Sequence, residues 1–208
     1  MAKATAANSS YTVTKNNFGD ISLIDVEHAL TALMFPNFEG REVRDKNTGR
    51  IYNKEGDQNF CVAIPDELAD DLIAEGWNVK VYEDNDGNVT KYIKVKINWH
   101  PTKVDYIPDM NTITNRKTGE KVSTKLDEET SKLLSISTLK DIDISIRRSA
   151  YRDDDGNWKP TARLAGAWAT LHQSYLADKW NDLQSMSSSA TAAETDDEVN
   201  EEDFLPFS

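Results

Sequence analysis

A chain of 208 residues with 38% hydrophobic content is long enough for one domain with a packed but modest core. Its longest apolar runs are only a few residues, too short to span a bilayer, and Met1–Ser10 is too polar for a signal peptide. The single Cys61 excludes an internal disulfide and suits a reducing compartment, so a soluble, cytoplasmic protein is expected. The formal charge of −12 argues against a nucleic-acid partner until its distribution is counted. Residues 182–208 carry eight acids and no base, which leaves 24 bases against 28 acids in the rest. A body so near neutrality can hold a basic face if its acids lie elsewhere.

Residues 1–17, rich in Ala, Ser, Thr and Asn, read as a flexible arm before a folded domain over 18–183. Val26–Phe35 fits strand or helix, and Pro36, Asn37 and Gly40 favour a strand that runs into a turn. Residues 40–58 are polar and turn-rich, a loose hairpin that carries Arg41, Arg44, Lys46, Arg50 and Lys54. Asn59–Ile64 is a short apolar strand. Pro65-Asp66-Glu67 then opens a helix through Glu75, with Pro in the first turn, acids at the positive end of the dipole and Gly76 as the stop.

The clearest hairpin follows: Trp77–Glu83 and Val89–Trp99 flank the turn Asp84-Asn85-Asp86-Gly87-Asn88. Weaker segments near 104–107, 111–114 and 120–123 come next, and Asp127-Glu128-Glu129 opens a short helix through Leu134. A long strand pair, Ile142–Arg152 and Trp158–His172, turns at Asp153–Asn157, and 175–183 suit a last helical turn. About seven strands, two or three short helices and no βαβ alternation predict a mainly β fold, a small antiparallel barrel.

Alternation assigns the faces. Ile93, Val95, Ile97 and Trp99 take one side of their strand, while Tyr92, Lys94, Lys96 and Asn98 take the other. In the partner strand Trp77, Val79 and Val81 face the core and Lys80 and Tyr82 face out. An aromatic ring beside lysines on a rigid sheet is what a single-stranded nucleic acid needs: cations along the phosphates and flat rings under the bases. The bland reading is a solvated face with Lys serving solubility. Arg147, Arg148, Tyr151 and Arg152 repeat the theme within six residues, against a plain alternative of charge balance with Asp153, Asp154 and Asp155. Trp168 and Leu164 are expected in the core.

Enzyme chemistry has little support. His28, His100 and His172 are isolated, no Cys/His spacing suits zinc, and no phosphate-binding or dinucleotide motif is present. Asp84-Asn-Asp-Gly and Asp153-Asp-Asp-Gly resemble calcium loops. Counting back from each Gly, however, puts Tyr82 and Tyr151 where the first carboxylate belongs, so both read as hairpin turns. No catalytic residue, metal or cofactor is expected.

Residues 184–208 form a basic-free tail. A polar Ser/Ala/Thr spacer leads to an acidic run, then to Asp203, Phe204, Leu205, Pro206, Phe207 and Ser208. Spacer, self-repelling acids and apolar tip together make a disordered, tethered peptide ligand. This tail resembles that of bacterial single-stranded DNA-binding proteins. With it, Leu33–Gly40, Gly56–Val62, Glu75–Lys80 and Lys94-Val95-Lys96 give the chain the look of a phage-encoded single-stranded DNA-binding protein. The resemblance implies an OB-fold barrel, sequence-independent binding of single-stranded DNA in replication or recombination, and no catalytic residues. It also implies that Asp203, Phe204, Leu205, Pro206 and Phe207 dock replication or recombination proteins. In the bacterial relatives the last Phe carries the terminal carboxylate, whereas here Ser208 follows Phe207. The alternative from another class is a virion adaptor, a β-barrel whose tail recruits an assembly partner; it leaves the Tyr/Lys faces without purpose.

Overall fold

In the computed structural model, residues 8–15, 22–46, 48–101, 107–115, 121–152 and 155–172 are described. Among them the chain is mainly β, as the pattern predicted. The strands are β1 (Ser10–Lys15), β2 (Ser22–Glu27), β3 (Leu33–Asn37), β4 (Val43–Arg44), β5 (Ile51–Asn53), β6 (Asn59–Ala63), β7 (Val79–Glu83), β8 (Val89–Lys96), β9 (Asp109–Asn115), β10 (Lys121–Lys125), β11 (Leu139–Arg152) and β12 (Trp158–Leu171). Two short helices accompany them, α1 (Asp66–Ala74) and α2 (Glu128–Ser131).

The main sheet runs β1-β2-β11-β12-β8-β6-β3, with β7 on β8 and a β9–β10 pair on β12, while β4 and β5 make a separate hairpin. The hydrogen-bonded path is open, with β1 and β3 at its ends. Two ladders, β12 with β8 and β12 with β9, are parallel, so the sheet is not wholly antiparallel as expected.

The core follows the alternation. Ile93 and Val95 of β8, Phe60 and Val62 of β6, Ile142, Ile144 and Ile146 of β11 and Ile24 and Val26 of β2 are all buried. Leu72 and Ala69 of α1 close over it, with Trp77 just after the helix.

Several expectations change. Ser10–Lys15, read as part of the arm, pairs with β2 over its whole length, and Tyr11 Oη donates to the Ala63 carbonyl at 2.8 Å. Its Ser/Thr content looked loose, but alternate Tyr11 and Val13 supply a half-buried face. Val26–Phe35 is not one strand. His28, at φ 53°, and a 3₁₀ turn over Ala29–Thr31 divide it between β2 and β3. The α2 helix ends at Ser131 rather than Leu134. Val81, on the predicted inner parity, is exposed because its half of β7 runs past the core.

The largest change is at Trp168. Leu164 is buried as predicted, but Trp168 is 45% exposed. Ile146 pairs with Leu164 and Ser145 with Gly166, so Ala165 is an extra residue without a partner across the ladder. One inserted residue reverses the parity of everything after it. Ala167, Ala169 and Leu171 therefore turn inward, and Trp168 joins the outer face opposite Asp143.

Candidate nucleic-acid interface

Cross-strand partners share a face of a sheet, so the register locates each side chain. Leu23 partners Arg147, Arg147 partners Arg163, Arg163 partners Lys96, Lys96 partners Asn59, and Asn59 partners Asn37. These six positions make one row across six strands, and its middle is three consecutive cations. The adjacent outward positions of β8 add Lys94 opposite Cys61, and Tyr92 opposite Ala63 and Lys80. Tyr151 and Lys159 lie on the same face of the β11–β12 pair, and Lys96 Nζ stands 5.7 Å from the centre of the Tyr151 ring.

The β4–β5 hairpin overhangs this face and leaves a cleft of about 390 Å³ lined by Tyr52, Asn53, Asn59, Lys94, Lys96 and Arg163, among others. Asp57 is the carboxylate residue among its lining. Gly40 makes the hairpin root possible: its φ is 69°, and a Cβ there would stand 3.0 Å from the Gly56 backbone, whose N–H donates to the Gly40 carbonyl. Asn53 Nδ2 reaches the carbonyls of Arg41, Lys54 and Asp57, at 3.0, 3.1 and 2.8 Å. Lys94 Nζ donates to the Tyr52 carbonyl at 3.3 Å, and Arg50 lies over the Tyr52 ring with Cζ 5.9 Å from its centre. Burial in the cleft, with Lys96 and Lys80 adding repulsion, pushes the Lys94 ammonium below its ordinary value against the opposing pull of Asp57. Burial also pushes the Cys61 thiol up to about 11, so at neutral pH it is a protonated, inert neighbour.

The predicted residues separate into groups. Lys80, Tyr92, Lys94, Lys96, Arg147 and Tyr151 share the outer face. Tyr82 shares it too and meets Phe35 edge to face at 5.1 Å; Phe35, at φ 48° in the irregular stretch of β3, is an exposed ring that alternation did not single out. Arg148 points to the other side, where its Nη1 donates to the Glu75 carbonyl at the end of α1. Arg152 also has that parity but sits where the β11–β12 pair outruns the core, with Cζ 5.1 Å from the centre of the exposed Trp158 ring. Arg163 and Tyr52 were not singled out by the sequence, since neither shows its place until β12 pairs with β8 and the hairpin folds over. The tip residues Asp203, Phe204, Leu205, Pro206 and Phe207 lie outside the described residues.

A family model described as "Putative phage ssDNA-binding domain" matches residues 16–205. The chain belongs to this family of phage single-stranded DNA-binding domains. No curated protein matches the chain significantly. Among solved structures, it is similar to the single-stranded DNA-binding protein from bacteriophage Enc34, C-terminal truncation, at 10% identity and a TM-score of 0.40, over 79% of this chain and 97% of that one.

Within this family member, the outer face is divided by charge. Beyond the cation row, the same face of β2 and β11 carries Asp25, Glu27, Asp141 and Asp143. There Asp143 accepts the His28 backbone N–H at 2.9 Å and Asp141 lies 2.6 Å from His28 Nδ1, a contact that, with the surrounding acids, raises the imidazole pKa. Each of the three offers one possible metal-ligating atom within 4.8 Å of the others, but the imidazole is already engaged by Asp141 on an open surface. Asp143 and Arg147 are four residues apart on one strand, about 13 Å. A polyanion is thus attracted at one end of the sheet and repelled at the other. Trp168 stands at the acidic end.

Proposed function

We propose that this protein coats single-stranded DNA without sequence preference during phage DNA replication and recombination. The observation that carries the reading is the row Arg147–Arg163–Lys96 beside Lys94, Lys80 and the rings of Tyr92, Tyr82 and Tyr151. Cations on neighbouring strands serve the phosphates, and rings on the same rigid sheet serve the bases. Nothing in such a face reads base edges, which fits sequence tolerance. DNA crosses the strands along the cation row, under the β4–β5 hairpin, in the manner of an OB-fold groove. Arg152 with Trp158 extends this path at the projecting tip, while Arg148 contributes by holding the end of α1.

In this reading the acidic tail recruits replication or recombination proteins through Asp203, Phe204, Leu205, Pro206 and Phe207. Its acids compete with DNA for the cation row. The protein needs no cofactor, catalyses no reaction and works in the host cytoplasm.

The deciding experiment is a fluorescence titration of the full chain and of residues 1–183 with oligo-dT at low and moderate salt. Neutralising about four phosphates gives a log–log salt slope of about −3 for a single strand. Tight, salt-weakened binding that improves on tail removal supports the proposal. Absence of binding by both proteins at low salt refutes it.

A further inference from the structure

We infer that the cleft beneath the β4–β5 hairpin contains a fixed seat for one phosphate group, with Arg163 as its base. The inference rests on the DNA-binding reading and specifies where the backbone of the strand is gripped. Three observations lead to it. Arg163 Nε is buried and has no hydrogen-bond partner, although a guanidinium stays charged under all physiological conditions. Its neighbours in the register are Arg147 on one side and Lys96 on the other, and like charges placed directly opposite destabilise a sheet. The cleft that holds it also contains Lys94, whose ammonium is held below its ordinary value first by burial.

A buried donor without an acceptor is costly, and so is a row of like charges. Both costs vanish when an anion with several acceptor oxygens enters the cleft. A phosphate meets this need better than a base, because a guanidinium edge matches its oxygens in a two-bond fork. Of the amides lining the cleft, Asn53 and Asn59 are already engaged in holding the hairpin and Gln58 donates to Glu128 and Ser131, so an entering anion is met by the cations, with the unpartnered Arg163 Nε among them. The group can come from a DNA backbone or from free phosphate, and the chemistry of the seat is the same.

The test uses the full chain and the arginine Nε–Hε NMR resonance of Arg163, assigned by its loss in R163K. Titration with oligo-dT should shift this resonance at stoichiometric addition. A shift with millimolar inorganic phosphate alone would show that free phosphate also fills the seat; a shift with oligo-dT alone would restrict it to the DNA backbone. A resonance that moves with neither overturns the seat. One already shifted in the full chain, and returning when residues 184–208 are removed, assigns the site to a tail carboxylate and also overturns it.

Two variants separate this from the general reading. R163Q should bind oligo-dT about tenfold more weakly, with a salt slope smaller by about 0.7. It should also melt at the same or a higher temperature, because the repulsion between neighbouring cations is gone. R163K should keep the slope but not the affinity. Exposed Lys96 gives a control that does not depend on a buried site: K96Q should lose the same increment of slope. Wild-type binding with R163Q unchanged in both affinity and slope defeats the seat and leaves the DNA-coating function standing; failure of the wild type to bind oligo-dT defeats that function instead.

Discussion

Asn59 of β6 donates its side-chain amide to Oδ1 of Asn53 in β5, and both residues are buried. The same Asn59 amide nitrogen reaches the Asp57 carbonyl at 2.9 Å. These bonds tie the hairpin that roofs the cleft to the strand that floors it. A buried amide network with every member engaged holds one geometry, which is what a groove needs if a mobile polymer is to find it ready-made.

Replacing Asn53 with Ala should therefore loosen the roof without touching DNA directly. It removes one of the donors to the carbonyls of Arg41, Lys54 and Asp57 and the side-chain acceptor of the buried Asn59 amide, a loss of about 1–3 kcal/mol in stability. Hydrogen exchange over Val43–Asn53 should accelerate, and oligo-dT should dissociate faster while associating at an unchanged rate.

On the proposed DNA path, Tyr92 and Lys94 should act on different terms of binding. Tyr92→Ala should cost about 1–3 kcal/mol of affinity at every salt concentration, the value of one stacked base. Lys94→Ala should instead flatten the salt slope by about 0.7. Parallel titrations at four salt concentrations distinguish them, and identical behaviour of the two variants would contradict the assigned roles.

Trp168 should be silent. It partners Asp143 at the acidic end of the face, about 13 Å along the strand from the Arg147 row. Trp168→Phe is expected to change oligo-dT affinity less than twofold and to leave the DNA-induced fluorescence change intact. A large loss would move the DNA path across the acids.

Gly76 ends α1 at φ 84°, and a Cβ there would lie 2.9 Å from Arg148 Nη1. Gly76→Ala should lose about 1–2 kcal/mol from backbone strain alone, measured by urea unfolding. Part of the total cost comes from pushing Arg148 off the Glu75 carbonyl. The penalty should accordingly shrink in an Arg148→Ala background.

Asp127 caps α2: its Oδ1 accepts from Thr130 Oγ1 at 2.7 Å and from the Thr130 N–H at 2.8 Å. These bonds, the hydroxyl first, hold its carboxyl below the ordinary 3.8. A depressed folded-state value stabilises at pH above the unfolded value and is lost as pH falls through the folded one. Asp127→Ala should thus cost about 1 kcal/mol at pH 7. The difference from wild type should fade below about pH 4, as followed by thermal melts across pH.

Local chemistry made some of this readable from residues alone. The β7–β8 hairpin shows itself through an Asp-Asn-Asp-Gly turn between alternating strands, and α1 through its Pro, its acids and Gly76. Each signal lies within a dozen residues. The cleft has no such signal, because Arg163 reaches Lys96 only through a parallel ladder between distant segments. Tyr52 needs the hairpin to fold over before it faces anything. Trp168 was misplaced because Ala165 looks like any strand residue, and nothing in its type announces a bulge. Arg148, one residue from Arg147, has the opposite parity, but nothing in the sequence shows that the end of α1 waits on that side.

The separation of Asp141 and Asp143 from Arg147 and Arg163 along one pair of strands also gives the molecule a local dipole. In the field of a polyanion such a dipole experiences a torque before any contact forms. The protein turns as it diffuses, and a larger share of collisions arrives cleft-first. Reversing Asp143 to Lys would leave every cleft residue in place yet remove part of that alignment. Its signature is a changed association rate at low salt that disappears once the Debye length falls to about 3 Å.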